Sequence, residues 1–422
     1  MELRKCEIMK VWKYGNVVAR SLAVCIIAYF HISTFSHCAA QTASAPRTGP
    51  WTKEQAWAWY DKQPWIRGCN YMPASAVNRV DQWQALGSEE RFAEVERELA
   101  LAEEIGFNAM RILVEVQGFG VWLADHDGFM ERFERYLTIL DRHKMRACVL
   151  LGNDCMRPKE FWKMPTPGPQ KFDWGYHGGR KMSQHGSFPD AIGYSPVDDP
   201  ELAPKFYAMC EELMTKYRSD RRILMWNLWN EPGNSNRGDL TIPQMKKLFE
   251  LAWRIDPVQP LAADLWSTYG EKTDGSEKEE RRRRVEALAG ELSDVISYHC
   301  YGNYEHQVKT LALLKRKYGR PLFNTEWLHR ILHNDVKTAY PLYYLEKVGC
   351  FCWGFVAGKY QTYEPWEGLW KEEENGNADN LDFTRWQHDL IRPSMRPYDP
   401  KEIKLIKRFN KLADEDVQGM KN

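Results

Sequence analysis

Eight short apolar runs recur along this chain, and the segments between them carry apolar residues at spacings of three and four. The runs fall at 65–71, 109–115, 146–153, 223–230, 260–266, 295–301, 321–327 and 350–356. Between them, Phe92, Val95, Leu99 and Ala102 set the pattern, which repeats over 133–140, 206–214, 245–253, 308–314 and 340–345. A run that is apolar on both faces suits a parallel strand covered by its crossover helices. Eight such units predict a (β/α)8 TIM barrel in one domain over 65–415, with an N-terminal extension at 41–64 and a short tail at 416–422. A doubly wound open sheet is the rival, but no GxGxxG or GxxxxGK[ST] motif follows any run.

Residues 1–40 do not fit that pattern. Lys5, Lys10, Lys13 and Arg20 precede an apolar stretch that gives way to small and polar residues. This is the layout of a secretory signal, too short and interrupted for a membrane span. Translation from Met9 and cleavage near Ala39 or Ala40 would suit it, and the expected location is secreted or periplasmic. A lipid-anchored Cys38 is the alternative, for which His37 is a poor preceding residue. Seven of the ten cysteines lie beyond this leader, mostly inside apolar runs and without a CxxC pair, so buried free thiols are expected.

The chain of 422 residues has no net charge, which gives no reason to expect nucleic acid or an acidic membrane as partner. A monomer is expected. Its 18 Trp and 20 Tyr exceed what a core needs as filler; flat rings with a polar edge suit the C–H faces of sugars. Two long loops hold many of them. Residues 154–199 carry Phe161, Trp162, Phe172, Trp174, Tyr176 and His177, and residues 358–397 carry Trp366, Trp370 and Trp386. Both follow strand C-termini, the face on which barrels build their sites. The run Glu277–Arg284, Glu-Lys-Glu-Glu followed by four arginines, reads as a solvated helix, with Glu277, Glu279 and Glu280 each four residues before an Arg.

Two carboxylates stand out. Glu231 closes the fourth run and Glu326 the seventh, and a carboxyl at the end of a buried strand is costly unless it is used. In an eight-stranded barrel of radius ~8 Å, strands three apart lie ~14 Å across the mouth, so two inward glutamates bring carboxyls to ~5 Å. That spacing suits a retaining glycosidase, whereas inversion requires about 6.5–9.5 Å. Arg111, inside the second run, would keep Glu326 ionised as a nucleophile; burial and a charged neighbour would raise Glu231 so that it carries a proton. Asn230 is suited to a sugar 2-hydroxyl.

Asn-Glu-Pro at 230–232 and Thr-Glu-Trp at 325–327 resemble glycoside hydrolase clan A, closest to family 5-like cellulases, mannanases and xylanases, over roughly residues 65–412. The resemblance implies retention, with Glu231 as acid/base, Glu326 as nucleophile, Arg111 supporting Glu326, and no cofactor or metal. It also implies that Tyr301 bonds the nucleophile, that His299 lines the site, and that Trp353 is the platform beneath the sugar. Asn70 and Tyr71 would line the pocket. Where many relatives carry a histidine after strand three, this chain has Leu-Gly-Asn-Asp-Cys, so Asn153 or Asp154 would contact the sugar instead. The implied partner is a β-linked polysaccharide or oligosaccharide, cut internally or, if 154–199 closes the pocket, from its end. A transglycosylase with the same site and a non-catalytic glycan-binding barrel are the alternatives. His329 and His333, and likewise His177 and His185, could be read as metal-binding pairs, but neither pair has an HExxH glutamate or a third ligand.

Overall fold

Each apolar run forms a strand: β1 Arg67–Asn70, β2 Ala109–Leu113, β3 Arg146–Asn153, β4 Ile223–Asn230, β5 Leu261–Ala263, β6 Ile296–His299, β7 Leu322–Trp327 and β8 Gly349–Cys352. The computed structural model describes residues 47–174, 177–179 and 190–419. The expected leader with Cys38, and Tyr176 and His185 of the first long loop, lie outside them. The strands hydrogen-bond in the order β5-β4-β3-β2-β1-β8-β7-β6, and each neighbouring pair is parallel. The ring closes between β5 and β6, where Leu265 donates to the Ser297 carbonyl at 3.0 Å and His299 donates to the Leu265 carbonyl at 2.7 Å. The result is the (β/α)8 barrel.

Helices cover the outside as the three-and-four spacing requires. In His126–Arg142, Phe129, Met130, Phe133, Tyr136, Leu137 and Leu140 form one buried stripe. The helix Glu277–Leu292 departs in detail from the expected i,i+4 pairing. Arg282 and Arg283 pair three residues back, with Glu279 and Glu280, while Arg281 and Arg284 reach across to Asp239. His329 and His333 do not share a helix. They flank a 3-10 turn, Arg330–Leu332, and the His333 ring meets the Asn380 carbonyl at 2.9 Å. The last helix, Pro400–Gly419, runs past residue 415. Seven cysteines are free among the described residues.

The barrel interior is layered. Its floor is apolar: Ala109, Cys148, Met225, Ala262, Val295, Phe323 and Phe351 meet inside the ring. The N-terminal extension closes that floor from below. Its helix, Lys53–Tyr60, is started by a capping box between Thr52 and Gln55 and buries Ala56 and Tyr60 against Phe323. Above the floor the interior turns polar, with Asn70, Arg111, Asn227, Asp264 and Thr325 all buried. A polar layer is tolerable inside a barrel only when its members satisfy one another.

Phe323→Ala should lower unfolding free energy by about 3–5 kcal/mol, read from the denaturant midpoint. A loss below about 1 kcal/mol would mean that the floor is not packed as described.

Candidate active site

Arg111 on β2 holds the polar layer together. Its Nε donates to Asn227 Oδ1 at 2.9 Å; Nη1 donates to Asn70 Oδ1 and Glu326 Oε1, both at 2.7 Å; Nη2 donates to Asn230 Oδ1 at 2.6 Å and Asp264 Oδ2 at 2.9 Å. All five guanidinium protons are thereby used. Thr325 adds a bond to the other Asp264 oxygen at 2.8 Å.

The two glutamates face each other above this layer. One ligating atom each from Glu231, His299 and Glu326 fall within 4.8 Å of one another. Glu326 accepts from Arg111 on Oε1 and from the Tyr301 hydroxyl on Oε2, the latter at 2.8 Å. Glu231 meets His299 Nδ1 at 2.7 Å on Oε1, and on Oε2 it accepts from the Cys155 thiol at 3.0 Å and from Asn234. Its backbone φ is 45°, a left-handed conformation that costs a non-glycine residue about 1–3 kcal/mol. The turn that imposes it is fastened next door. Gly233, at φ 84°, donates to Asp154 Oδ2 at 2.6 Å, and Asp154 in turn pairs with Arg237 at 2.9 Å.

The charges show where a proton rests. Burial opposes charge on His299, but Glu326 and Asp264 overcome it and push its pKa up to about 10. Burial would raise Glu231, yet the hydrogen bond and charge of His299 hold it below the ordinary carboxyl range. For Glu326, burial and the charge on Glu231 outweigh His299 and Arg111, so its direction is upward. Both its oxygens lie within hydrogen-bond reach of donors, the Arg111 guanidinium and the Tyr301 hydroxyl, which favour the charged form and limit that rise. Burial likewise opposes the charge on Asp264, and Arg111 and His299 overcome it. The expectation that burial raises Glu231 is thus corrected: Arg111 and His299 face three carboxylates, and the charge and hydrogen bond of His299 shift Glu231 downward instead. The sequence reading missed Asp264.

A cavity of about 420 Å³ opens onto both glutamates. Asn153, Asn230, His299, Tyr301 and Trp353 line it as expected, joined by Cys155, Asn234, Trp266 and Trp366. The Trp353 indole donates to His177 at 2.7 Å, which fixes its ring at the wall. Asn230 accepts from Arg111 and donates to Asn153 Oδ1, the latter at 3.0 Å, so the two asparagines orient each other. Three expected contacts lie elsewhere. Asn70 is buried against Arg111, with its amide nitrogen on the Thr325 carbonyl at 2.8 Å. Tyr71 points away to Glu98 at 2.8 Å, and Asp154 serves the turn below Glu231. The Glu231–His299–Glu326 set has donor atoms a divalent cation could use, but Arg111 and the His299 proton already supply the positive charge there.

Solved structures share this architecture. GH5_18 from Streptomyces cattleya in complex with GlcNAc matches with a TM-score of 0.52 and 13% identity, over 83% of this chain and 80% of that one. The exo-beta-1,4-mannosidase Op5Man5 from Opitutaceae bacterium strain TAV5 matches with a TM-score of 0.50 and 14% identity, over 82% of this chain and 59% of that one. What they share with this chain is the (β/α)8 barrel. The present chain spans 59% of the length of the Opitutaceae protein, and at these identities the likeness is one of fold. No protein-family model matches the chain, and no curated protein matches it in sequence.

Because its folded pKa is raised, His299 contributes stability in full below about pH 6.5, and this is lost as pH rises toward about 10. In a 15N imidazole titration it should stay protonated through pH 8, and Asp264→Asn should bring the transition down. A wild-type transition near the ordinary histidine value would contradict the charge arrangement.

Proposed function

We propose that the chain is a retaining glycoside hydrolase of β-linked saccharides, with Glu326 as nucleophile and Glu231 as acid/base. The observation that carries this reading is the approach of the two carboxylates, within 4.8 Å oxygen to oxygen, over one cavity. Retention needs about 5–5.5 Å between carboxyl groups, and inversion needs about 6.5–9.5 Å to admit a water. The surroundings divide the labour. Arg111 and Tyr301 orient and stabilise a carboxylate at 326, as an attacking group requires. His299 keeps a proton 2.7 Å from Glu231.

The first step follows from these contacts. A sugar lying on Trp353 expels water from the cavity. A drier medium disfavours the charge-separated His299–Glu231 pair, which moves the proton onto Glu231. Glu231 protonates the leaving oxygen while Glu326 attacks C1, forming a glycosyl ester and releasing the alcohol. In the second step Glu231, now a carboxylate, takes a proton from water as the water oxygen attacks C1 and Glu326 leaves. Two inversions at C1 give net retention. Asn230 and Asn153 offer amides to the sugar hydroxyls once bound. The mannosidase activity named for the Opitutaceae neighbour makes β-mannosides the first substrates to try. Transfer to a sugar acceptor would use the same steps with another alcohol replacing water.

Glu326→Ala should abolish turnover of aryl β-glycosides, and azide should restore it as the inverted glycosyl azide. Glu231→Ala should slow substrates with poor leaving groups by about 100- to 10,000-fold while sparing the first step for good ones. Inverted azide product from the 231 variant would reverse the roles, and unchanged activity in both would leave a glycan-binding barrel. Dialysis against a chelator should leave turnover unchanged, because no step draws on a cation; a loss restored by a divalent metal would assign the Glu231–His299–Glu326 set to metal.

A further inference from the structure

A second cavity of about 350 Å³ adjoins the first, and Cys155 lines both. The two therefore meet beside Glu231, whose Oε2 is 3.0 Å from the Cys155 sulfur. Four charged residues line the second cavity: Glu115, Arg157, Lys163 and Asp173. Glu115 is spoken for by Arg79 at 3.3 Å, and Asp173 lies exposed at the edge. Arg157 is different. It is only partly exposed, its Nε is enclosed without an acceptor, and among the described residues no carboxylate pairs with it. A half-exposed guanidinium that faces a cavity with no carboxylate partner is open to an anionic ligand, and its enclosed Nε can be satisfied only by an acceptor brought there. Lys163, exposed on the same wall, adds a second positive charge. Phe161, 47% exposed, and Trp162 supply ring surface suited to the C–H face of a sugar.

Resting on the glycosidase reading above, we infer that this second cavity binds a sugar unit adjoining the cleaved one, and that this unit carries a carboxylate or sulfate group held by Arg157. An arginine fork matches either planar carboxylate or sulfate oxygens, and Lys163 strengthens the local field. The preferred substrate is then an acidic β-linked saccharide, with the anion next to the bond that breaks. Nothing about the first cavity requires this, since its charged lining groups are already paired: Glu231 with His299, Glu326 with Arg111, Arg79 with Glu115 and Glu367 with Lys371.

The test is binding, measured without turnover. Methyl β-glucuronide, glucose 6-sulfate and methyl β-glucoside are titrated at low salt into the full chain and into its Arg157→Gln and Arg157→Lys variants by calorimetry. At least one anionic sugar should bind about tenfold or more tighter than the neutral one, the order of one charge-assisted hydrogen bond. That preference should vanish in Arg157→Gln, return in part in Arg157→Lys and weaken with added salt. The two anionic arms identify which group is held. Equal affinity for acidic and neutral sugars, or a preference that survives Arg157→Gln in a variant with native circular dichroism, would overturn the proposal. Should the chain cleave no glycoside yet bind acidic sugars through Arg157, the catalytic reading fails and the anion site stands. Should it cleave neutral glycosides while Arg157→Gln changes nothing, the reverse holds.

Discussion

One guanidinium organises the catalytic face. Arg111 reaches side chains from β1, β4 and β7 and the aspartate after β5, and it spends all five of its protons doing so. The arrangement explains why a barrel whose floor is apolar becomes polar one layer higher without leaving that layer unsatisfied. It also explains the choice of residue. A lysine offers three donors from a single point and cannot span acceptors on opposite walls. Removing the cation would leave Asp264 and Glu326 buried and repelling each other, a loss of about 3–5 kcal/mol for one broken buried pair. The fold and the chemistry thus depend on the same contact.

Arg111 cannot neutralise the site alone, and its shortfall is useful. With Asp264 and Glu326 sharing it, the third carboxylate, Glu231, needs another positive charge, and His299 supplies one. In the proposed mechanism, a proton is thereby stored one hydrogen bond from the group that would donate it, and it would become mobile as a bound sugar dries the cavity. A glutamate pushed up by burial alone would hold its proton less conditionally, since nothing nearby could take it back.

The strands were legible because period and length agree: β3 and β4 occupy the same residues as their apolar runs, 146–153 and 223–230. Glu231 and Glu326 stood out because a charge at the end of such a run is costly to bury unpaired, and Arg111 because its run holds no other cation. Asp264 obeys the same rule, following Leu261–Ala263, but that strand is only three residues long and its run reads on into Leu265 and Trp266. An acid in the middle of an apparent run draws less notice than one at its end. Asn70, Tyr71 and Asp154 failed differently. Each stands at a strand terminus facing the right end of the barrel, but which way its side chain turns depends on partners far away in sequence, namely Thr325, Glu98 and Arg237. Local pattern carries no information about such partners.

The strained backbone at Glu231 links these observations. A left-handed glutamate persists only if its surroundings over-determine it. Here Asp154 does so from the preceding loop, holding the Gly233 amide, Thr241 and Arg237 together beneath the turn. The residue that follows Asp154 is Cys155, whose thiol reaches Glu231 and whose other side faces the second cavity. Residues 153–157 therefore do three tasks within five positions: Asn153 faces the first cavity, Asp154 locks the turn, and Arg157 reaches the neighbouring cavity. The resemblance noted in the sequence puts a histidine after strand three in many relatives. This chain instead builds from that point outward, so whatever distinguishes its substrate is expected to be read along the β3 loop rather than inside the shared polar layer.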